Sequence, residues 1–466
     1  MATSVSLGGL LAGLKIADIS SMLVMDNFAE YFSVQMCLKK GLIVSFLTLG
    51  CFLGSVAVGP LASKMSRKQT LAFAGVTTMV GVGLELGAVN LFMFLCARII
   101  SGFGIGVLSA TVPMYMTEIS HKTIRGRMIS LLQLSMTFGI MAAYWINTGF
   151  NNVESSSFQW RGVFMTQLII CILFTGSVAI MPESPKWLAA KGKSDQVIKS
   201  LTKLRGAHYQ DEDIINEARD IEAEVRTENY KKTSYFSLIT QQYRRLTLGV
   251  LLQVFKQLTG VSTILYYIVY IVKEANITPK TGVFVAASMV GVVGFISTIP
   301  AVMYIDKFGR RNILLFGSFG STICHLGIVV TCLYGGAWNI NDKYGYYNPT
   351  CAWTGLVFMY IFLFFYSVSW GPIGWIYPPE IFSTNMRAKA TSITTATNWL
   401  MTSLVGFITP FVLNRLGWGL YLIYGGCMFF SIIFVWAFCP ETKGKSFIQI
   451  EAEFTSAILV RNMKSS

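Results

Sequence analysis

"EISHKTIR" at 118–125 and "EIFSTNMR" at 380–387 carry the same pair, a glutamate seven residues ahead of an arginine, 262 residues apart. Each pair closes an apolar run. Two further signals recur in the same order: the basic pair of "SRK" (66–68) returns in "GRR" (309–311), an offset of 243. "PESPK" from Pro182 returns as "PETKGK" from Pro440, an offset of 258. Signals repeating in order at nearly one offset mean a duplicated unit. Each copy holds six apolar runs long enough to cross a hydrocarbon core of about 30 Å as helices.

The runs fall near 7–25, 41–62, 70–89, 91–114, 124–149 and 159–181, then 244–272, 279–304, 312–334, 350–379, 387–413 and 417–438. The expected fold is therefore all-α and polytopic: twelve transmembrane helices in two six-helix bundles. Residues 1–181 would form the first bundle, 182–243 a helical linker, 244–438 the second bundle and 439–466 a short tail. Composition agrees, with 53% hydrophobic and 13% charged residues and a mean hydropathy of +0.56. A soluble chain carries about a quarter charged residues. The run from Leu7 resembles a signal peptide, but so many later spans make it a signal-anchored first helix.

A net charge of +14 raises the question of a polyanionic partner. Its distribution answers against one. Residues 182–232 hold ten acids and ten bases, so the surplus lies largely in short connections: "SKMSRK", "HKTIRGR", "DKFGRRN" and "NMRAK". Basic short loops mark the cytoplasmic side. Both termini and the central linker then belong in the cytoplasm, and the linker's charged periodicity predicts short amphipathic surface helices.

Nine cysteines form no CxxC pair, and three histidines make no metal-ligand spacing. Cys37 and Cys351 both fall on the expected outer side, which leaves a disulfide open. No cofactor or metal is implied, and no nucleic acid. Nor is there a nucleophile–base pair, a phosphate loop or an HExxH, so nothing points to an enzyme and there are no catalytic residues to name. "GFGIG" (102–106) reads as small residues for close helix packing rather than a nucleotide loop. An "NIT" sequon at Asn276 lies in a short outer loop.

Duplicated six-helix halves suit an alternating-access carrier, with substrate bound near mid-membrane between them. The motifs "ARIISGFGIG", "PMYMTEISHKTIRG", "PESPKWLAAKGK", "QLTGVSTILYY", "DKFGRR", "WGPIGWIYPPEIF", "ATNWL" and "PETKGKSF" stand in one order along the chain. In this the sequence resembles the sugar-porter family of major facilitators, which includes glucose and hexose carriers and fungal sugar permeases. The resemblance implies a latch on the cytoplasmic face built from Arg67, Glu118, Arg125, Glu183, Asp306, Arg310, Arg311, Glu380, Arg387 and Glu441. Charge-assisted contacts at partly wet sites form and break at modest cost. The first half departs from the pattern at Ser63, Ser66, His121 and Lys186, which predicts a weaker latch there.

The resemblance also implies a central sugar site. Gln133, Gln253, Gln257, Trp375 and Asn398 match it, and Tyr266 and Tyr267 match a tyrosine pair that closes over it. Amides grip sugar hydroxyls while an aromatic face meets the ring's C–H side. Other positions depart: Lys256 replaces a leading glutamine, Ser262 an asparagine, Gly294 an asparagine and Ser367 an acid. A lysine at mid-membrane lines water or has a partner. Three readings stay open for Lys256: a snorkelling bystander, a retuned neutral-sugar site, or recognition of an acidic substrate.

In proton-coupled relatives an aspartate on the first helix sits near an arginine of the fourth. Here Lys15 takes the aspartate's place, Arg98 supplies the arginine, and Asp18 lies one turn on from Lys15. Asp18 would neutralise Lys15 or assume the proton role itself; Glu85 has no assigned partner. The expected function is facilitated transport of a hexose or related monosaccharide or polyol, by a monomer in the lipid bilayer of the plasma membrane or an internal membrane such as the vacuole's. A proton symporter and a transport-incompetent sugar sensor are the alternatives.

Overall fold

The computed structural model describes residues 2–34, 36–120, 125–153, 157–206, 212–229, 235–274, 280–335, 348–382 and 384–443. Among these there is no strand. The first half contains α1 (Ala2–Met22), a short α2 (Asp26–Tyr31), α3 (Cys37–Lys64), α4 (Arg67–Leu86), α5 (Leu91–Ile119), α6 (Arg125–Asn151) and α7 (Phe158–Ile180). The linker contributes α8 (Pro185–Ala190), α9 (Ser194–Arg205), α10 (Glu212–Asn229) and α11 (Tyr235–Gln241). The second half runs α12 (Tyr243–Leu258), α13 (Val261–Glu274), α14 (Lys280–Phe308), α15 (Arg310–Gly335), α16 (Pro349–Val368), α17 (Trp370–Ile381), α18 (Thr384–Leu416) and α19 (Gly419–Phe438). Ten crossings are long and apolar enough to span a membrane, by length and composition among the described residues. Helices α1 and α6 lie against each other among them and complete twelve.

Lipid tails are as apolar as leucine, so helices in a bilayer associate by close packing and hydrogen bonds rather than by the hydrophobic effect. The "GFGIG" stretch of α5 does this work. A Cβ on Gly102 or Gly106 would strike the carbonyls of Leu47 and Cys51 in α3, and one on Gly104 would strike Ala74 and Thr78 in α4. Small residues on opposite sides of α5 thus let it sit between two neighbours. The halves meet along α3 against α18 and α6 against α14, while α13 reaches across to α1. In the linker, Leu188, Val197, Leu201, Ile214 and Ala218 make a small core of their own.

Two apolar runs expected as single helices are broken. The seventh is α12 and α13, separated at Thr259–Gly260, where Gly260 has φ +84°. That left-handed conformation favours glycine, and the Tyr424 ring fills the space a Cβ would take. The Thr259 carbonyl, freed from the ladder, accepts from His325 Nε2 at 2.8 Å. The tenth is α16 and α17, interrupted at Ser369, whose hydroxyl donates to Phe365 O at 2.6 Å. Non-helical backbone at membrane depth is tolerated where protein buries it or a cavity meets it. Both breaks adjoin the central cavity. Cys37 and Cys351 are free thiols, so no disulfide joins them. The sequon at Asn276, His121 and the tail from residue 444 lie outside the described residues, as does the side chain of Ser63.

Candidate substrate cavity and its gates

Between the halves lies a cleft. Of the residues expected at a sugar site, Gln133, Lys256, Gln257, Ser262, Tyr266, Trp375 and Asn398 line it together. They come from α6, α12, α13, α17 and α18. Gln253 and Tyr267 stand behind the wall instead. The Gln253 amide donates to Gly374 O at 2.6 Å, tying α12 to α17, and the Tyr267 hydroxyl donates to Gly406 O at 2.7 Å. One helical turn separates Gln253 from Gln257, yet the first side chain is spent on the Gly374 backbone. Ile16, Thr137, Tyr366, Trp399 and Thr402, not singled out from sequence, also line it.

The polar groups of the wall are already chained. Ser262 Oγ donates to Gln257 Oε1 at 2.6 Å, and Gln257 Nε2 donates to Asn398 Oδ1 at 2.8 Å. That chain fixes both amides, leaving the Asn398 amide group free to donate. Gln133 is 7% exposed, and its Oε1 finds no partner among the described residues. An unmet buried acceptor costs about 1–3 kcal/mol, so a ligand hydroxyl donating to it would be favoured. Gly294 and Ser367 face each other with open space where larger side chains would stand.

Among the described residues Lys256 is the one charged residue in this lining. It is 3% exposed, and its Nζ lies 4.2 Å from the centre of the Trp375 ring. A cation over a desolvated aromatic face gains about 2 kcal/mol, against about 2.5–3.5 kcal/mol for a lysine at mid-membrane. The stacking therefore offsets much of the burial. It supplies no counter-charge, and among the described residues Lys256 forms no ion pair.

A second set of charges is buried inside the first half. Lys15, Asp18, Glu85 and Arg98 are each 0% exposed. Arg98 donates to both Asp18 oxygens at 3.1 and 3.2 Å, and Gln167 Nε2 adds a third donor at 3.1 Å. Lys15 pairs with Glu85, whose other oxygen accepts from Ser101 Oγ at 2.6 Å. Lys15 lies 3.5 Å from Asp18. The expected pairing is thus shifted: Asp18 belongs chiefly to Arg98, and Glu85, unassigned from sequence, takes Lys15. Two acids and two bases make the cluster neutral as it stands. The clue was charge balance, since Glu85 was the remaining carboxylate deep in a span.

The repeated motifs build the same network twice. In the first half Arg67 Nη2 meets Glu118 Oε1 at 3.0 Å, Ser184 Oγ donates to Glu118, and the Tyr115 hydroxyl donates to Pro182 O at 2.8 Å. In the second, Arg310 Nη2 meets Glu380 Oε1 at 2.9 Å, Thr442 Oγ1 donates to Glu380 at 2.6 Å, and Tyr377 donates to Pro440 O at 2.9 Å. Tyr115 and Tyr377, and Ser184 and Thr442, repeat at the motif offsets but were not read from sequence. Their charged neighbours drew the eye first.

The halves differ at one point. Glu441 accepts the backbone N–H groups of Arg310 (2.8 Å) and Arg311 (3.1 Å) at the start of α15, where helix dipoles favour an anion. Gly309, at φ +83°, makes room for it. In the first half Ser66 caps α4 and its hydroxyl donates to Glu183 at 2.9 Å, leaving Glu183 Oε2 without a partner among the described residues. The ion pairs described among these motif residues, Arg67–Glu118 and Arg310–Glu380, each join helices of the same half. Arg387 donates to Phe382 O at 3.5 Å, and the side chains of Arg125 and Asp306 lie outside the described residues.

Cross-half contacts flank the cavity along its length. Ser392 Oγ donates to Ser55 O at 2.7 Å and Trp399 Nε1 to Ser109 Oγ at 3.0 Å. Further along α3 and α18, Ser403 donates to Ser45 O at 3.1 Å. Across α6 and α13, the Tyr144 hydroxyl donates to Leu265 O at 2.6 Å. Single hydrogen bonds of this kind are each worth about 1 kcal/mol net, weak enough to exchange as the halves rock.

Two matched bundles around a cleft with a few convergent polar groups define a membrane carrier rather than an enzyme. Comparison with known proteins agrees. The family model for the sugar (and other) transporters matches residues 1–454, and the chain belongs to that family. It is 30% identical to the low-affinity glucose transporter HXT3 of Saccharomyces cerevisiae, over 98% of this chain and 82% of that one. It is 28% identical to the glucose transporter mfs1 of Aspergillus flavus, over 97% and 89%. Among solved structures, the proton:xylose symporter XylE bound to 6-bromo-6-deoxy-D-glucose superposes with a TM-score of 0.81 at 26% identity, covering 97% of this chain and 98% of that chain. The inward-open form of XylE from E. coli gives 0.75 over the same shares, also at 26% identity.

Proposed function

We propose that the protein moves a monosaccharide across a membrane by alternating access, as a uniporter. The observation that carries this reading is the cleft between the halves. Its wall offers the fixed amides Gln257 and Asn398, the unmet acceptor of Gln133 and the Trp375 face. These are the groups that grip ring hydroxyls and C–H faces. Arg67, Glu118, Glu183, Arg310, Glu380 and Glu441 serve as rigid corners at the helix ends, and Arg125, Asp306, Arg311 and Arg387 complete the gate around them. Gln253 and Tyr267 act by holding α17 and α18 in place.

Uniport follows from charge. Asp18 and Glu85 each already face a cation, so the cluster crosses no step that demands a proton. We place the basic-loop end in the cytoplasm with both termini, the two bundles at 1–181 and 244–438, and a monomer in the plasma membrane. The likeness to XylE, a proton:xylose symporter, favours a second reading, in which Asp18 exchanges Arg98 for a proton. Proteoliposomes decide: saturable hexose uptake of equal rate with and without an inward proton gradient is the expected result. Uptake that appears only with the gradient overturns uniport.

A further inference from the structure

We propose that the cavity selects a monoanionic sugar, a monosaccharide carrying one carboxylate, with Lys256 as the residue that recognises its charge. The proposal rests on the transport reading above and names its substrate class.

Several features converge on Lys256. Lys256 is buried, lines the cleft and is, among the described residues, its one charged lining residue. It stacks on Trp375 at 4.2 Å, which orients Nζ without neutralising it. Among the described residues no carboxylate pairs with it, whereas Lys15, equally buried, has Glu85 and Asp18. This chain therefore provides counter-charges for buried lysines elsewhere and provides none here. A buried charge is retained where it is paired or where a ligand pairs it.

The rest of the wall asks for hydroxyls. Gln133 Oε1 is an unmet acceptor, and the Gln257–Asn398 chain holds an amide donor towards the cleft. A ligand with several hydroxyls and one negative charge satisfies both features together. One cation matches one negative charge, so a carboxylate leaves the loaded cavity neutral. A phosphate monoester, at about −1.5 to −2 near neutral pH, would leave excess charge inside the membrane. Position supports the same match: Gly374 faces Lys256 so closely that a Cβ there would lie 2.6 Å from its Cδ and 2.9 Å from Nζ. The glycine leaves the ammonium its place beside the indole.

The test uses the full chain in proteoliposomes, with D-glucose, D-glucuronate and glucose 6-phosphate as probes and K256Q and K256R as variants. Folding of each variant is checked by size-exclusion profile. The unmodified protein should take up glucuronate with at least tenfold higher affinity than glucose. K256Q should lose tenfold to a hundredfold in glucuronate affinity while its affinity for neutral glucose rises, and K256R should retain part of the preference. Glucose uptake without glucuronate uptake overturns the inference and leaves the transport reading standing. A preference for glucose 6-phosphate overturns the monoanion match. Glucuronate affinity unchanged in K256Q removes Lys256 from the role. Failure to transport or bind any of the three probes overturns both readings at once. If K256Q does not fold, the glucose-to-glucuronate ratio of the unmodified protein decides alone.

Discussion

Replacing Glu85 by glutamine deletes one negative charge from a site where four ionised groups balance at 0% exposure. Lys15 loses its direct partner but keeps Asp18 at 3.5 Å, so the remaining trio carries one excess positive charge. Breaking a buried pair by removing one partner costs about 3–5 kcal/mol. The residual Asp18 contact puts E85Q near the lower end, about 3 kcal/mol, which is more than a hundredfold in the folded-to-unfolded ratio at 1.4 kcal/mol per tenfold. The double variant K15M/E85L removes both charges and keeps similar volumes. It should regain about 2 kcal/mol or more of the loss, because paired burial of charges is not itself a net gain. D18N should cost more than E85Q, since Arg98 and Gln167 both lose an anionic acceptor. The assay is loss of the monodisperse peak after stepped heating in detergent. If E85Q melts with the unmodified protein, or K15M/E85L melts no higher than E85Q, the cluster does not balance charge as described.

Three further outcomes can be checked directly. G309A forces a side chain into a φ of +83° beside Glu441, at about 1–3 kcal/mol of strain; apparent melting should fall, and equal melting would mean that the α15 start relaxes freely. G374A should push Lys256 off Trp375, quenching or shifting the indole fluorescence and lowering glucuronate affinity without touching the lysine itself. Unchanged affinity would separate the stacking from recognition. E118Q and E380Q should raise the accessibility of cysteines placed at the basic-loop ends of α5 and α17 to a similar degree, since each breaks an equivalent pair; a response from only one half would deny the equivalence.

The repeat, the twelve crossings and the family's motifs were legible in sequence because each is a local signal. A span is a run of apolar residues, and a motif is a spacing. The cavity residues Gln133, Gln257, Trp375 and Asn398 were legible through the resemblance. The breaks at Thr259–Gly260 and Ser369 were not, because hydropathy averages over them and the partner that steadies the first, His325, is distant in sequence. The same holds for Glu85. Its spacing from Lys15 says nothing; only the packing of α5 against both α4 and α1 brings the charges together.

The sequence by itself determined that this chain crosses a membrane in two related halves, since burial of backbone in lipid leaves a long apolar run no other folded choice than a helix. Tertiary structure alone decided which charges are answered from within. Lys15 and Lys256 read alike as lysines inside apolar helices, yet one is met by two carboxylates and the other by an indole face and an open cleft. Electrostatic partners in a low-dielectric interior are chosen by distances of a few ångströms between helices, and no linear spacing encodes those distances.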